Sequence, residues 1–181
     1  MIEAGQPGRA LRPRDAATLI LLERSERGPR VLMGRRHAQH RFMPGKFVFP
    51  GGRVEPEDRR MAAAGALDPH VEEKLNARVR RPSPNFARAI TPPGRVRRFD
   101  ARFLIVDARF IAGRVEGAVH SEAELVELVW TPLDEARNLD LPAITHAALA
   151  DLTQALEDGL DKRRPRPFYR EIRGKRLREQ L

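Results

Sequence analysis

The hydrophobic positions of this chain fall into short, separate blocks, and most blocks have the spacing of strands. Residues 16–22, Ala-Ala-Thr-Leu-Ile-Leu-Leu, are a continuous apolar run bounded by charge, which predicts a buried strand. Turn-forming residues follow at 24–29, and residues 30–34 read as the returning strand of a hairpin with a long loop. A polar loop spans 35–46. Phe47-Val48-Phe49 then predicts a short strand stopped by Pro50-Gly51-Gly52. Between 98 and 111 apolar residues alternate, with Phe99, Ala101, Phe103 and Ile105 on one face, as in a half-buried strand. Residues 125–130 predict another strand, after an acidic stretch at 122–124.

Helical spacing is rarer. From 59 to 81, Val71, Leu75 and Val79 share one helical face, and Gly65 and Pro69 divide the segment into short pieces. Residues 81–94, rich in proline, read as loop. Thr131-Pro132-Leu133-Asp134 has the chemistry of a helix start: a capping threonine, a proline suited to the first turn, and an acid three residues on. Residues 143–156 predict a longer helix with Ile144, Leu149, Leu152 and Leu156 as its apolar stripe and Gly159 as its stop. Strands come early and in pairs while helices cluster late, so the expected class is α+β, a mixed sheet with flanking helices.

Composition narrows the picture. A chain of 181 residues is long enough to bury one core without covalent staples. There is no cysteine, which excludes a disulfide framework, a thiolate metal site and a cysteine nucleophile. Residues 1–14 lack the apolar centre of a secretory leader, and no apolar run is long enough to span a bilayer, so the expected location is cytoplasmic. The formal charge of +9 is uneven: residues 161–181 hold nine Lys or Arg against three Asp or Glu. The organisation read from this is a flexible N-terminus at 1–14, one domain at 15–160 and a basic C-terminal tail at 161–181. Such a tail suits phosphates, nucleic acid or an acidic surface, and suits equally a solvated extension.

The candidate chemistry lies between residues 32 and 58. Arg36, Arg41, Lys46 and Arg53 flank a loop that ends in Phe49-Pro50-Gly51-Gly52. Two adjacent glycines permit positive φ and a close backbone approach, and exposed amides beside arginines make a phosphate cradle. The same Pro-Gly-Gly also serves as an ordinary strand-ending turn. Arg36, Arg41, Gly51, Gly52 and Arg53 are therefore the substrate-binding candidates.

This region resembles the entry to the signature of Nudix hydrolases. The order Arg36, Arg41, Gly45, then Phe49-Pro50-Gly51-Gly52-Arg53-Val54-Glu55-Pro56 is similar to the motif of the coenzyme A-type branch, with His37 where that motif has a small residue. Residues 98–103 and 122–133 resemble later Nudix strands. The resemblance implies a pyrophosphohydrolase of a nucleoside diphosphate-linked substrate, coenzyme A or an acyl derivative among them. It implies Mg or Mn held by helical glutamates and water attacking the diphosphate.

The second half of that signature, Arg-Glu-x-x-Glu-Glu-x-Gly, is found nowhere in the chain. Gly52 matches its first glycine and Asp58 stands where its first glutamate belongs. The only Glu-Glu pair, Glu72-Glu73, has Asp68-Pro69 in place of Arg-Glu and Leu75 in place of Gly. These two are the remaining catalytic candidates, and they read better as the solvated face of a surface helix. Glu55, Glu57 and Asp58 are the remaining metal candidates, and three carboxylates on a loop are more often solvated. Residues 84–89 look like the lead-in to the catalytic helix, and Ile90-Thr91-Pro92-Pro93 like the approach to a later strand. The expectation is a deletion near Ala89–Ile90 that removes the catalytic helix, leaving a sheet face bare or covered by residues 61–80. Three functions follow: a Nudix hydrolase with weak or no activity, a metal-free diphosphate-binding module, or nucleic-acid binding through the tail. The last ranks lowest because Phe168 and Tyr169 are the only aromatics in that tail.

Overall fold

The computed structural model describes residues 11–60, 86–111, 113, 116–160 and 165–180. The apolar run at 16–22 lies inside β1 (Arg14–Ser25), which has strand neighbours along both edges. On one side β1 pairs in parallel with β6 (Phe99–Asp107), Thr18 opposite Phe103 and Ile20 opposite Ile105. Parallel pairing needs a long crossover, and the chain between the two strands supplies it. On the other side β1 pairs antiparallel with β2 (Gly28–Arg36) near its end and with β4 (Gly51–Arg53) near its start. β2 carries β3 (Phe47–Val48) and β7 (Leu125–Pro132). β5 (Ala87–Ile90) extends the sheet beyond β6.

The long hairpin loop expected between the first two strands is absent. Ser25 faces Gly28 across Glu26 and Arg27, a two-residue turn. Gly28 takes φ of 104°, and the Ser25 hydroxyl donates to its carbonyl at 2.7 Å. The polar residues that read as loop are strand ends whose side chains point to solvent. The start of a helix at 131–134 is also displaced: β7 runs to Pro132, and a 3-10 turn follows at Ala136–Asn138. β6 ends at Asp107, whose carboxylate caps a 3-10 turn over Ala108–Phe110 and cuts short the strand expected to reach 111.

The expected long helix is α1 (Ala143–Glu157). Leu149 and Leu152 are fully buried, and Ile144 and Leu156 pack beside them. Gly159, at φ 78°, ends it, with Leu160 N–H donating to the Ala155 carbonyl. The core joins Ile20 and Leu22 of β1, Val31 and Met33 of β2, Phe103 of β6 and this helix stripe. Burying each such side chain contributes roughly 1.5–3 kcal/mol. The architecture is a mixed α+β sheet.

Two expectations fail here. The residues read as a basic tail contain β8 (Pro167–Ile172) and β9 (Lys175–Gln180), a hairpin in the same sheet. β8 lies parallel to β5, Phe168 opposite Arg88. Phe168 is buried, and Tyr169 donates to Asp151 of α1, which also holds Arg178 at 2.6 Å. Alternating apolar residues are too few in β8 to mark it against so much charge. Burial raises the Tyr169 phenol above its ordinary range, and the Asp151 carboxylate adds to the effect. The second failure concerns the helix lead-in read at 84–89. Ala89 and Ile90 are residues of β5, opposite Ala101 and Asp100. Ala87 and Ala89 face the core, so this Ala-Arg-Ala is a strand alternation and not a helix lead-in. The helix expected within 59–81, with Glu72, Glu73 and the Val71 stripe, lies outside the described residues apart from a 3-10 turn at Asp58–Arg60.

Candidate anion-binding site

One end of the sheet gathers the end of β2, the loop 37–46, the end of β4, the loop 91–98 and the approach to β7. Arg36 stands at its centre. Its backbone N–H donates to the Lys46 carbonyl at 3.0 Å, and its side chain is 17% exposed. Nη1 lies 3.0 Å from Glu124 Oε1 and 3.0 Å from His40 Nδ1. The guanidinium sits 5.9 Å from the centre of the Phe42 ring, which meets Phe99 edge-on at 5.4 Å. Nε is buried without a hydrogen-bond partner. Burial lowers the Arg36 pKa from its ordinary value; Glu124 opposes this and the nearby Arg97 adds to it.

The other candidates distribute unevenly around this centre. Arg41 is exposed on the same loop. Arg53 is exposed and donates to Glu55 at 2.5 Å, and that hydrogen bond raises its pKa, with Glu124 also contributing. Lys46 is paired with Asp140, which ties the loop to the segment before α1.

Gly51 and Gly52 do not take positive φ. They are extended residues of β4, Gly51 opposite Thr18 and Gly52 opposite Ala17. Their value to the fold differs. A Cβ on Gly51 would stand 2.3 Å from the Ala17 carbonyl oxygen, whereas one on Gly52 meets nothing within 4 Å. The close approach that Gly51 permits is therefore to β1. Gly51→Ala is expected to destabilise the protein by about 1–3 kcal/mol through overpacking. Gly52→Ala, its neighbour in space as in sequence, should stay within about 0.5 kcal/mol of wild type. Urea midpoints of the two variants check this, and equal midpoints would contradict it.

The metal candidates do not converge. The Glu55 carboxylate is engaged by Arg53, and Asp58 Oδ2 accepts the Glu55 backbone N–H at 2.8 Å, closing a local turn. Glu57 is exposed. Among the described residues no three acidic or histidine side chains come together to hold a cation. The described donors thus do not fit the divalent metal that the resemblance implies. His40, Phe42, Arg97 and Glu124 were not singled out from sequence. Nothing in the spacing brings residue 124 to residue 36; the β2–β7 pairing, Arg36 opposite Leu125, does.

This mixed sheet with its flanking helix has the fold of Nudix hydrolases. The solved Nudix hydrolase from Alicyclobacillus acidocaldarius superposes with a TM-score of 0.53 at 23% identity, over 77% of this chain and 90% of that one. The Nudix domain of Shewanella oneidensis NrtR, solved with ADP-ribose, gives 0.49 at 11% identity over 86% and 99%. In sequence, the uncharacterised Nudix hydrolase NudL of Enterobacter sp. (strain 638) is 40% identical over 69 residues, 38% of this chain. The match spans 35% of the length of that relative. No family model matches the chain. Among the described residues no helix is long and apolar enough to cross a membrane.

Proposed function

We propose that this chain is a Nudix-type protein that binds a diphosphate-linked small molecule at the Arg36 end of its sheet, with weak or absent pyrophosphohydrolase activity. The observation that carries the relationship is the 40% identity to a Nudix hydrolase, supported by the shared fold. Binding is supported by Arg36, half-buried and preorganised on Phe42, with the exposed Arg41 on the following loop. Charge-assisted hydrogen bonds from such groups contribute roughly 1.5–3 kcal/mol each. Coenzyme A or an acyl derivative is the substrate class favoured by the order of Arg36, Arg41, Gly45 and Phe49-Pro50-Gly51-Gly52. Weak activity is supported by the sequence itself, which nowhere contains Arg-Glu-x-x-Glu-Glu-x-Gly. A deletion near Ala89–Ile90 that removed that segment is the simplest account of its absence.

The test is coenzyme A hydrolysis with magnesium or manganese, paired with calorimetric titration of coenzyme A. Little turnover is expected, with binding to wild type that weakens at least tenfold in Arg41→Ala, about 1.4 kcal/mol. Robust turnover abolished by Glu72→Gln or Glu73→Gln would assign the metal to that pair and refute the weak-activity reading. Equal binding by wild type and Arg41→Ala, or none by either, would remove the binding reading.

A further inference from the structure

Among the described residues Glu124 is the one carboxylate in contact with Arg36, and its two ends are held very differently. Its backbone carbonyl accepts the His37 N–H at 3.0 Å, and the next residue, Leu125, begins the β7 pairing with β2. Its side chain is 57% exposed, while that of Arg36 is 17% exposed. Arg36 is the fixed member of the pair, stacked on Phe42, and Glu124 the movable one. Displacing the carboxylate needs a side-chain rotation and no backbone change.

The contact also leaves Arg36 only partly satisfied. Arg36 meets Glu124 through one nitrogen, Nη1, shared with His40, in place of the two-pronged geometry that makes arginine–carboxylate pairs strong. The Arg36 Nε has no partner. His40 Nε2 lies 3.8 Å from the same Glu124 oxygen. Arg97 and Arg53 lie within electrostatic reach of the pair, and Glu55 takes up only Arg53. One exposed carboxylate thus faces a group of cations whose charge exceeds its own, which favours an anion of higher charge with more acceptor oxygens.

We propose that Glu124 is an internal stand-in for the ligand's phosphate: it occupies the anion position at Arg36 in the free protein and is displaced when a diphosphate binds. This rests on the binding reading of the Arg36 site given above. Glu124 then sets the affinity threshold of the site. Monoanions fail to displace a carboxylate already bound, and diphosphates succeed.

Calorimetric titration of the full chain with inorganic pyrophosphate tests this, in wild type, Glu124→Gln, Arg36→Ala and the double variant Arg36→Ala/Glu124→Gln. Circular dichroism checks that each is folded. Removing a competing ion pair whose acid is half in solvent should tighten pyrophosphate binding roughly fivefold in Glu124→Gln. Both variants lacking Arg36 should bind at least tenfold more weakly than their parents. If Glu124→Gln binds as wild type does, or more weakly, while Arg36→Ala loses binding, the stand-in is refuted and the Arg36 site survives. If Arg36→Ala binds as wild type does, the site itself is misplaced and the stand-in falls with it. Absence of binding in all four forms refutes both.

Discussion

Deleting residues 165–181 is expected to abolish the cooperative unfolding transition of this protein or to lower its midpoint sharply. The segment supplies β8 and β9, the outer strands of the sheet beyond β5. It buries Phe168 and packs Tyr169 against the core, and it ties α1 to the sheet through Asp151. Truncating one buried phenylalanine to alanine costs about 3–5 kcal/mol, and a domain's whole stability is about 5–15 kcal/mol. Phe168→Ala alone should therefore lower the unfolding free energy by about 3 kcal/mol, and the full deletion by more. Thermal and urea unfolding followed by circular dichroism measure both. A truncated chain that melts with the full-length midpoint would restore these residues to a solvated basic extension.

The contrast between that hairpin and the central strands shows what the sequence made legible. β1, β2 and β6 have strand neighbours along both edges, so their apolar residues had to be dense, and the density was visible. α1 announced itself through Leu149, Leu152 and Gly159, positions fixed by helix geometry alone. β8 and β9 lie at the margin, where most side chains meet water, and their residues are chosen for charge. Lys175, Arg176 and Arg178 along β9 keep an edge strand from pairing with another chain, and that same charge made the segment read as a tail. β5 was hidden differently. Ala87 and Ala89 are small enough to fit a strand or a helix, and their pairing with β6 decides between the two.

The site was legible in part for a related reason. Arg36, Arg41 and Arg53 could be named because a local motif contains them. Glu124 and Phe99 could not, because their place beside Arg36 depends on strand register and on the packing of one loop against another. Gly51 also serves a need other than the one its motif suggests. Its missing side chain serves the approach of β4 to β1, a requirement that no local pattern expresses.

Asp100→Ala is expected to destabilise the protein by about 3–5 kcal/mol, far more than loss of an ordinary surface ion pair. Arg88, in the middle of β5, donates to Asp100 on β6 through Nε at 2.7 Å and Nη2 at 2.5 Å, with the two side chains only 7% and 14% exposed. The same guanidinium lies 5.1 Å from the centre of the Phe168 ring, whose surroundings also include Arg170 at 5.3 Å. The pair thus spans β6, β5 and β8. Its hydrogen bonds to Asp100 are the largest cause holding the Arg88 pKa above the ordinary arginine value, and a guanidinium stays charged in proteins in any case. Removing the aspartate takes the two-pronged carboxylate contact from this buried cation, and breaking a buried ion pair at one end is costly. Replacing both residues with apolar ones of similar size, Arg88→Met with Asp100→Leu, removes the charge together with its partner. The double variant should recover most of the loss, because desolvating two charges offsets much of what their attraction contributes. Urea unfolding of the single and double variants measures the coupling between the two positions. A single variant within 1 kcal/mol of wild type would show that the Asp100 contact is not what holds Arg88 in the sheet. A double variant as unstable as Asp100→Ala would show that the pair is kept for its geometry and cannot be replaced by packing.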